Sequence, residues 1–199
     1  MTSTVLATTL TTPVGRLALL VVDDALVASG FTDVADQYAR LQTDAPLREV
    51  DDLGAFSKAM AAYFDGDVHA MDELPVDQPG GPFRQAAWKA MRAVPAGEVI
   101  TYAELAARAG NPGAVRAAGS ACAQNRVAPI VPCHRVLRGG GALGGYAYGL
   151  SRKEWLLAHE RFRPLPLLFV VWANAHGGFF LGWIVCGAYA FSSNIPVGT

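Results

Sequence analysis

The arrangement with the clearest chemical potential in the 199-residue sequence is Pro129-Ile130-Val131-Pro132-Cys133-His134-Arg135-Val136, in which a histidine and an arginine directly follow a cysteine. A cysteine is a nucleophile as its thiolate, and a nearby histidine or arginine stabilises that anion. In an extended segment successive side chains point to opposite faces, so His134 would serve Cys133 only through a bend or a bridging water. A cysteine among apolar residues equally suits packing, and packing is the reading for Cys122, in a run of small residues, and for Cys186, in an apolar tail. Three cysteines without a CxxC pair give neither a disulfide framework nor zinc spacing, and a reducing compartment is expected.

The elements that must position this segment are legible on both sides of it. Upstream, FRQAAWKAMRAV carries apolar residues at helical intervals and stops at Pro95-Ala96-Gly97. Thr101-Tyr102-Ala103-Glu104 fits a capping box that opens a helix to about Ala109. Asn111-Pro112 predicts a further helix from Pro112 to Ala123, with Asn as cap and Pro in the first turn. These two short helices make a helix-turn-helix candidate, and Ala117, Ala118, Gly119 and Ala121 would let the second approach a groove closely or pack tightly. Downstream, the glycine-rich RGGGALGGYAYG can turn back and admit a flat ligand, and Ser151-Arg152-Lys153-Glu154 predicts a capping box on the last helix.

The first third reads as strands followed by helices: VLATTL, then RLALLVV and ALVASGF joined in a hairpin at Asp23-Asp24, then helices over 34–41 and 53–64. Gln78-Pro79-Gly80-Gly81-Pro82 marks a break between subdomains. Charge divides at the same place: residues 1–82 carry −9, residues 83–160 carry +6 and residues 161–199 carry +2, for a total of −1. A basic second half could face a polyanion, or the two faces could dock or stay solvated. Charged residues are 17% of the chain and apolar ones 52%, which excludes a disordered chain. The N-terminus lacks the basic and apolar regions of a secretory signal.

IVPCHRV, preceded by GEVITYAELAARAGNPGAVRAAGSACAQN and followed by KEWLLAHE, closely resembles the methylated-DNA-protein-cysteine methyltransferases, which repair 6-O-alkylguanine. The resemblance covers about Phe83 to Glu160, and residues 1–82 fit the family's variable N-terminal domain in general shape. It implies a ribonuclease-H-like α/β subdomain over 1–78, a linker over 79–82, and a mainly α, winged-helix-like helix-turn-helix DNA-binding alkyltransferase domain over 83–163. The implied reaction is irreversible transfer of the alkyl group from a flipped-out 6-O-methylguanine, and also 4-O-methylthymine, to Cys133, without cofactor or metal. His134 and Glu160 would form the deprotonating relay with a water, and Asn125 would hold the turn around the cysteine. Tyr102 would crowd the target's phosphate and donate a proton to the leaving guanine.

On the same resemblance, Arg116 is the finger that replaces the flipped base, and Ala117 and Gly119 line the helix that enters the minor groove. Arg126, Arg138, Arg152 and Lys153 are candidates for phosphate contacts. Tyr146 and the backbone after Val136 wall the guanine pocket. Tyr146 is followed by Ala147 and Tyr148 where relatives often carry small residues, so Tyr148 would narrow the rim. The partner implied is double-stranded DNA containing alkylated guanine, in the cytoplasm or on a bacterial nucleoid, with no obligate protein partner and no membrane. A noncatalytic alkyltransferase-like damage-binding protein is the alternative, against which Cys133 stands. Residues 164–199 form an apolar tail without an assigned role: anchor, packing surface or added extension.

Overall fold

The structure is a computed structural model that describes residues 3–162. The apolar tail from 164 onward, with Cys186, lies outside the described residues. Strands β1 (Val5–Thr12), β2 (Gly15–Val22) and β3 (Ala25–Gly30) form an antiparallel meander, and β4 (Leu47–Glu49) adds in parallel to β1, giving the order β3-β2-β1-β4. The β2–β3 turn is the expected one: Asp23 and Asp24 have φ of 46° and 59°, the left-handed pair that a tight hairpin requires.

The sheet is covered on both faces, which explains why RLALLVV is almost continuously apolar rather than alternating. Leu17, Leu19 and Val21 pack into the main core with Phe56, Met60 and Phe64 of α2 (Ala55–Asp65) and with residues of the second half. Ala18 and Leu20 point the other way, into a smaller cluster with Val5, Ala7, Ala28 and Val34 of α1 (Val34–Leu41). A fully buried leucine contributes about 1.5–3 kcal/mol. Leu17, Leu19 and Leu20, each at 0% exposure, therefore anchor the strand on which both layers depend.

The second half is helical, built from α3 (Pro82–Arg92), α4 (Tyr102–Arg108), α5 (Val115–Ala123) and α6 (Leu150–Phe162), with a two-stranded parallel ladder of β5 (Ile100–Thr101) and β6 (Val136–Leu137). The expected α/β part followed by a mainly helical part is the observed fold. The Thr101–Glu104 capping box is present in both directions, with Glu104 N–H donating to Thr101 Oγ1 at 3.2 Å and Thr101 N–H to Glu104 Oε2 at 2.6 Å.

Two predicted helix starts are corrected. Helix α5 begins at Val115, not Pro112, because Ala114 N–H closes a turn back to Asn111 O (3.0 Å) and Gly113 adds no helical bias. Helix α6 begins at Leu150, after Gly149 at φ +93°, so Ser151 lies inside the helix and does not cap it. Trp88 of α3 pins the α4–α5 pair to the core by donating its indole N–H to Ala121 O at 2.9 Å.

Candidate active site

The cysteine sits on a short loop held from three sides. Helix α5 ends at Ala123, and two residues later the Asn125 carboxamide reaches across the loop. Its Nδ2 donates to Val131 O (2.7 Å) and to Cys133 Sγ (3.3 Å), while its Oδ1 accepts from Val127 N–H (3.1 Å). Strand β3 braces the loop's first arm: Ser29 N–H donates to Arg126 O (2.7 Å), and Ser29 Oγ to Ala128 O (2.8 Å). Cys133–Arg135 then form a single 3-10 turn. This corrects the extended reading of PCHRV. In a 3-10 turn successive side chains diverge by about 120° instead of pointing to opposite faces.

His134 and Arg135 both meet Glu160 on α6, and all three are buried. Glu160 Oε1 accepts from His134 Nε2 (2.8 Å), Arg135 Nη2 (2.9 Å) and Tyr63 Oη (2.9 Å). Its Oε2 accepts from Arg135 Nε (2.9 Å) and Gly97 N–H (3.3 Å). Arg135, which the sequence offered as a partner for the thiolate, is instead spent on this carboxylate and on Val94 O (2.6 Å). Burial alone would raise the Glu160 carboxyl, but His134 and the Arg135 fork outweigh it and hold the group well below the ordinary carboxylate range. An ionised Glu160 is acceptor-only, so the shared proton lies on His134 Nε2.

Burial lowers the His134 pKa, against the opposing pull of Glu160, so the ring is neutral and Nδ1 keeps its lone pair. Nδ1 is buried and has no hydrogen-bond partner among the described residues. The Cys133 thiol is pushed up by burial, partly offset by the Asn125 hydrogen bond and by Lys153. At rest the site therefore holds a neutral thiol, a neutral imidazole with a free basic nitrogen, and a fixed carboxylate. This set can abstract the thiol proton on demand. Among the described residues, no group of three or more His, Cys, Asp or Glu converges on a metal position.

Around this centre, Val136 is fully buried and its carbonyl accepts from Lys153 Nζ (2.7 Å), which also donates to Leu143 O. Lys153, expected at a phosphate, is thus a clasp inside the fold. Arg152 is likewise turned inward, donating to Val14 O (2.9 Å) and Tyr148 O (2.8 Å) and lying over the Phe31 ring. Arg138 remains available, and with Leu143, Gly144, Gly145, Tyr146, Gly149 and Leu150 it lines an open surface pocket of about 570 Å³.

Tyr146 stands edge-on to Tyr148 (5.6 Å between centroids), and its buried hydroxyl has no partner among the described residues. Ala147 is exposed. Tyr148 is not at a solvent-facing rim. It is buried, with its hydroxyl among Arg40 Nη1 (3.1 Å), Gln37 Nε2 (3.3 Å) and Ser29 O (3.4 Å). Tyr102 is half-buried at the start of α4, its pKa raised by desolvation and by the Cys122 and Cys133 sulfurs. On α5, Arg116 and Ala117 are exposed, and a Cβ added at Gly119 would meet nothing within 4 Å. Arg126 is half-buried.

The site thus joins an α/β layer and a helical half around a buried thiol that is followed in sequence by a histidine paired to a carboxylate. A family model described as "6-O-methylguanine DNA methyltransferase, DNA binding domain" matches residues 82–162. The human methylated-DNA–protein-cysteine methyltransferase is 40% identical over 167 residues, covering 78% of this chain and 80% of that protein. The Salmonella typhimurium protein of the same name is 47% identical over 109 residues, covering 55% of this chain, which spans 64% of that relative's length. A crystal structure of Mycobacterium tuberculosis OGT in complex with DNA superposes with a TM-score of 0.67 at 31% identity, covering 79% of this chain and 94% of the other. The chain belongs to the methylated-DNA–protein-cysteine methyltransferase family.

Proposed function

We propose that this chain repairs DNA by moving the alkyl group of 6-O-methylguanine, and of 4-O-methylthymine, irreversibly onto Cys133. The observation that carries the reading is the Cys133 thiol, held by the Asn125 amide and lying next in sequence to a histidine whose Nε2–H is fixed on Glu160 and whose Nδ1 is free. His134 Nδ1 takes the thiol proton through one bridging water. The Asn125 N–H stabilises the thiolate that results. The sulfur attacks the alkyl carbon from the side opposite the oxygen. The S–C bond forms as the C–O bond breaks, and the electron pair returns to the guanine ring. Tyr102 protonates the leaving base and is reprotonated from solvent, to which His134 releases the thiol's proton, so that one proton moves in net from thiol to base.

The base must leave the stack to reach a buried sulfur, and α5 presents the surface for this. Ala117 and Gly119 give a low face suited to the narrow minor groove, and exposed Arg116 stands ready to fill the space left by the base. Arg126 and Arg138 supply phosphate affinity, and Tyr146 and the Val136 backbone wall the base pocket. The DNA-bound mycobacterial relative supports DNA as partner. Among the described residues, no helix is long and apolar enough to cross a membrane.

Arg116→Ala is expected to slow repair of duplex DNA by about tenfold or more, the cost of losing one contact that offsets unstacking, and to leave transfer from free 6-O-methylguanine base unchanged. Single-turnover rates on the two substrates check this. Equal slowing of both would place Arg116 in the fold instead of at the flipped state. A second test bears on the reaction itself. A thioether has no good leaving group, so repaired guanine titrated against protein plateaus at one equivalent per chain, and several turnovers per chain would overturn the mechanism.

A further inference from the structure

The segment 78–82 reads in sequence as a Pro- and Gly-rich connection between the two halves, yet its first side chain is locked into the cysteine loop. Gln78 is buried, 4% exposed, one residue beyond a backbone bridge in which Leu26 N–H donates to Pro75 O (2.9 Å) and Asp77 N–H to Leu26 O (2.9 Å). Its carbonyl is fixed by Gln85 Nε2 of α3 at 2.6 Å. Its carboxamide has no freedom to turn over: Oε1 accepts from Arg126 N–H (3.0 Å), which leaves Nε2 donating to Asn125 Oδ1 at 3.3 Å.

That second bond propagates. Asn125 Oδ1, holding Gln78 Nε2–H and Val127 N–H, must be the oxygen, and Nδ2 is thereby directed at Val131 O and Cys133 Sγ. A reversed Asn125 would set a lone pair against the sulfur, and a thiolate there would lose a donor and gain a repulsion. Strand β3 ties this lock to the N-terminal half, since it holds Pro75–Asp77 at Leu26 and the cysteine loop at Ser29.

We propose that Gln78 is a positioning residue for the nucleophile, acting through Asn125 so that an N–H, and not a carbonyl oxygen, faces the Cys133 sulfur. The proposal rests on Cys133 being the nucleophile of the proposed function, but its test does not require DNA. Iodoacetamide alkylates thiolate, so the pH dependence of Cys133 carbamidomethylation, read by peptide mass spectrometry on the full chain with Cys122 as internal comparator, reports thiolate stability directly.

Gln78→Met is of similar length and neutral. It removes both polar contacts and is expected to slow Cys133 alkylation at neutral pH roughly threefold. Gln78→Glu keeps the acceptor for Arg126 N–H but turns a carboxylate toward Asn125 Oδ1, and roughly tenfold slowing is expected, equivalent to about one pKa unit. In both variants the deficit shrinks as pH rises and thiolate forms regardless. A purely structural role gives a different pattern. Cys133 alkylation that is unchanged, slowed equally at every pH, or accelerated together with Cys122 by local opening would overturn the proposal. Failure of the repair reading would appear separately, as a Cys133 that alkylates normally but acquires no methyl from DNA.

Discussion

Cys133→Ser is expected to abolish alkyl transfer and to leave affinity for duplex DNA largely unchanged. A hydroxyl is a far weaker nucleophile than a thiol at neutral pH. Burial raises the Cys133 thiol and lowers His134, and a serine hydroxyl, less acidic than a thiol, would give up its proton to the same imidazole still less readily. The side chain is 8% exposed and turned toward Asn125, whereas the proposed groove contacts at Arg116 and Ala117 are exposed on α5, so the substitution removes chemistry without touching the binding face. Transfer is read by loss of label from methylated duplex and affinity by fluorescence anisotropy. Residual methyl transfer in the serine variant would remove Cys133 from the mechanism.

The second large effect is expected at Glu160. Its carboxylate accepts five hydrogen bonds from Tyr63, Gly97, His134 and Arg135, so Glu160→Gln damages two properties together. Stability falls because the Arg135 guanidinium is left buried without a counter-charge, at a cost of about 3–5 kcal/mol, or roughly 10 °C in Tm for a domain of this size. Transfer slows by about a hundredfold or more, because a neutral amide no longer fixes His134 with Nε2 protonated and Nδ1 free.

The same carboxyl sets an acid limit. Its folded pKa lies well below the unfolded value of about 4.3, so it contributes stability that is fully present above that value and drains away as pH falls toward the folded pKa. Thermal melts from pH 7 downward should therefore show the native protein losing Tm below about pH 4.3 and the glutamine variant losing less over that window. Equal Tm values for the two proteins at pH 7 would contradict the account of the network.

Much of this was legible in the sequence wherever a feature is local. The Asp23-Asp24 turn, the Thr101–Glu104 cap and the apolar β2 strand each depend on residues within one turn or one strand, and the structure has all three where the residues placed them. Local rules also misled. Pro112 suits a first helical turn, but Gly113 and the Asn111–Ala114 turn move the start of α5 to Val115. PCHRV has no helical periodicity, and its 3-10 turn is imposed by Asn125 and by the backbone bond from Cys133 N–H to Val131 O.

Less legible still were contacts between distant residues. Tyr63 lies 97 positions from Glu160 and Gln78 lies 47 from Asn125, and neither spacing carries a signal. Arg152 and Lys153 look like surface cations in any composition count. The structure instead uses them as donors to buried carbonyls, where a long aliphatic stem can be packed once the charged end is paired. Arg135 is the same case, since only the fold reveals that its partner is Glu160 and not the adjacent thiol.

The most direct test of the central claim is to incubate the protein with duplex DNA bearing 6-O-methylguanine, digest it, and weigh the peptides. The Cys133 peptide alone is expected to gain one CH2, the gain to stop at one per chain with DNA in excess, and to match the guanine restored. A methyl on Cys122 or on no cysteine while guanine is restored, or restored guanine in excess of protein, would contradict the claim.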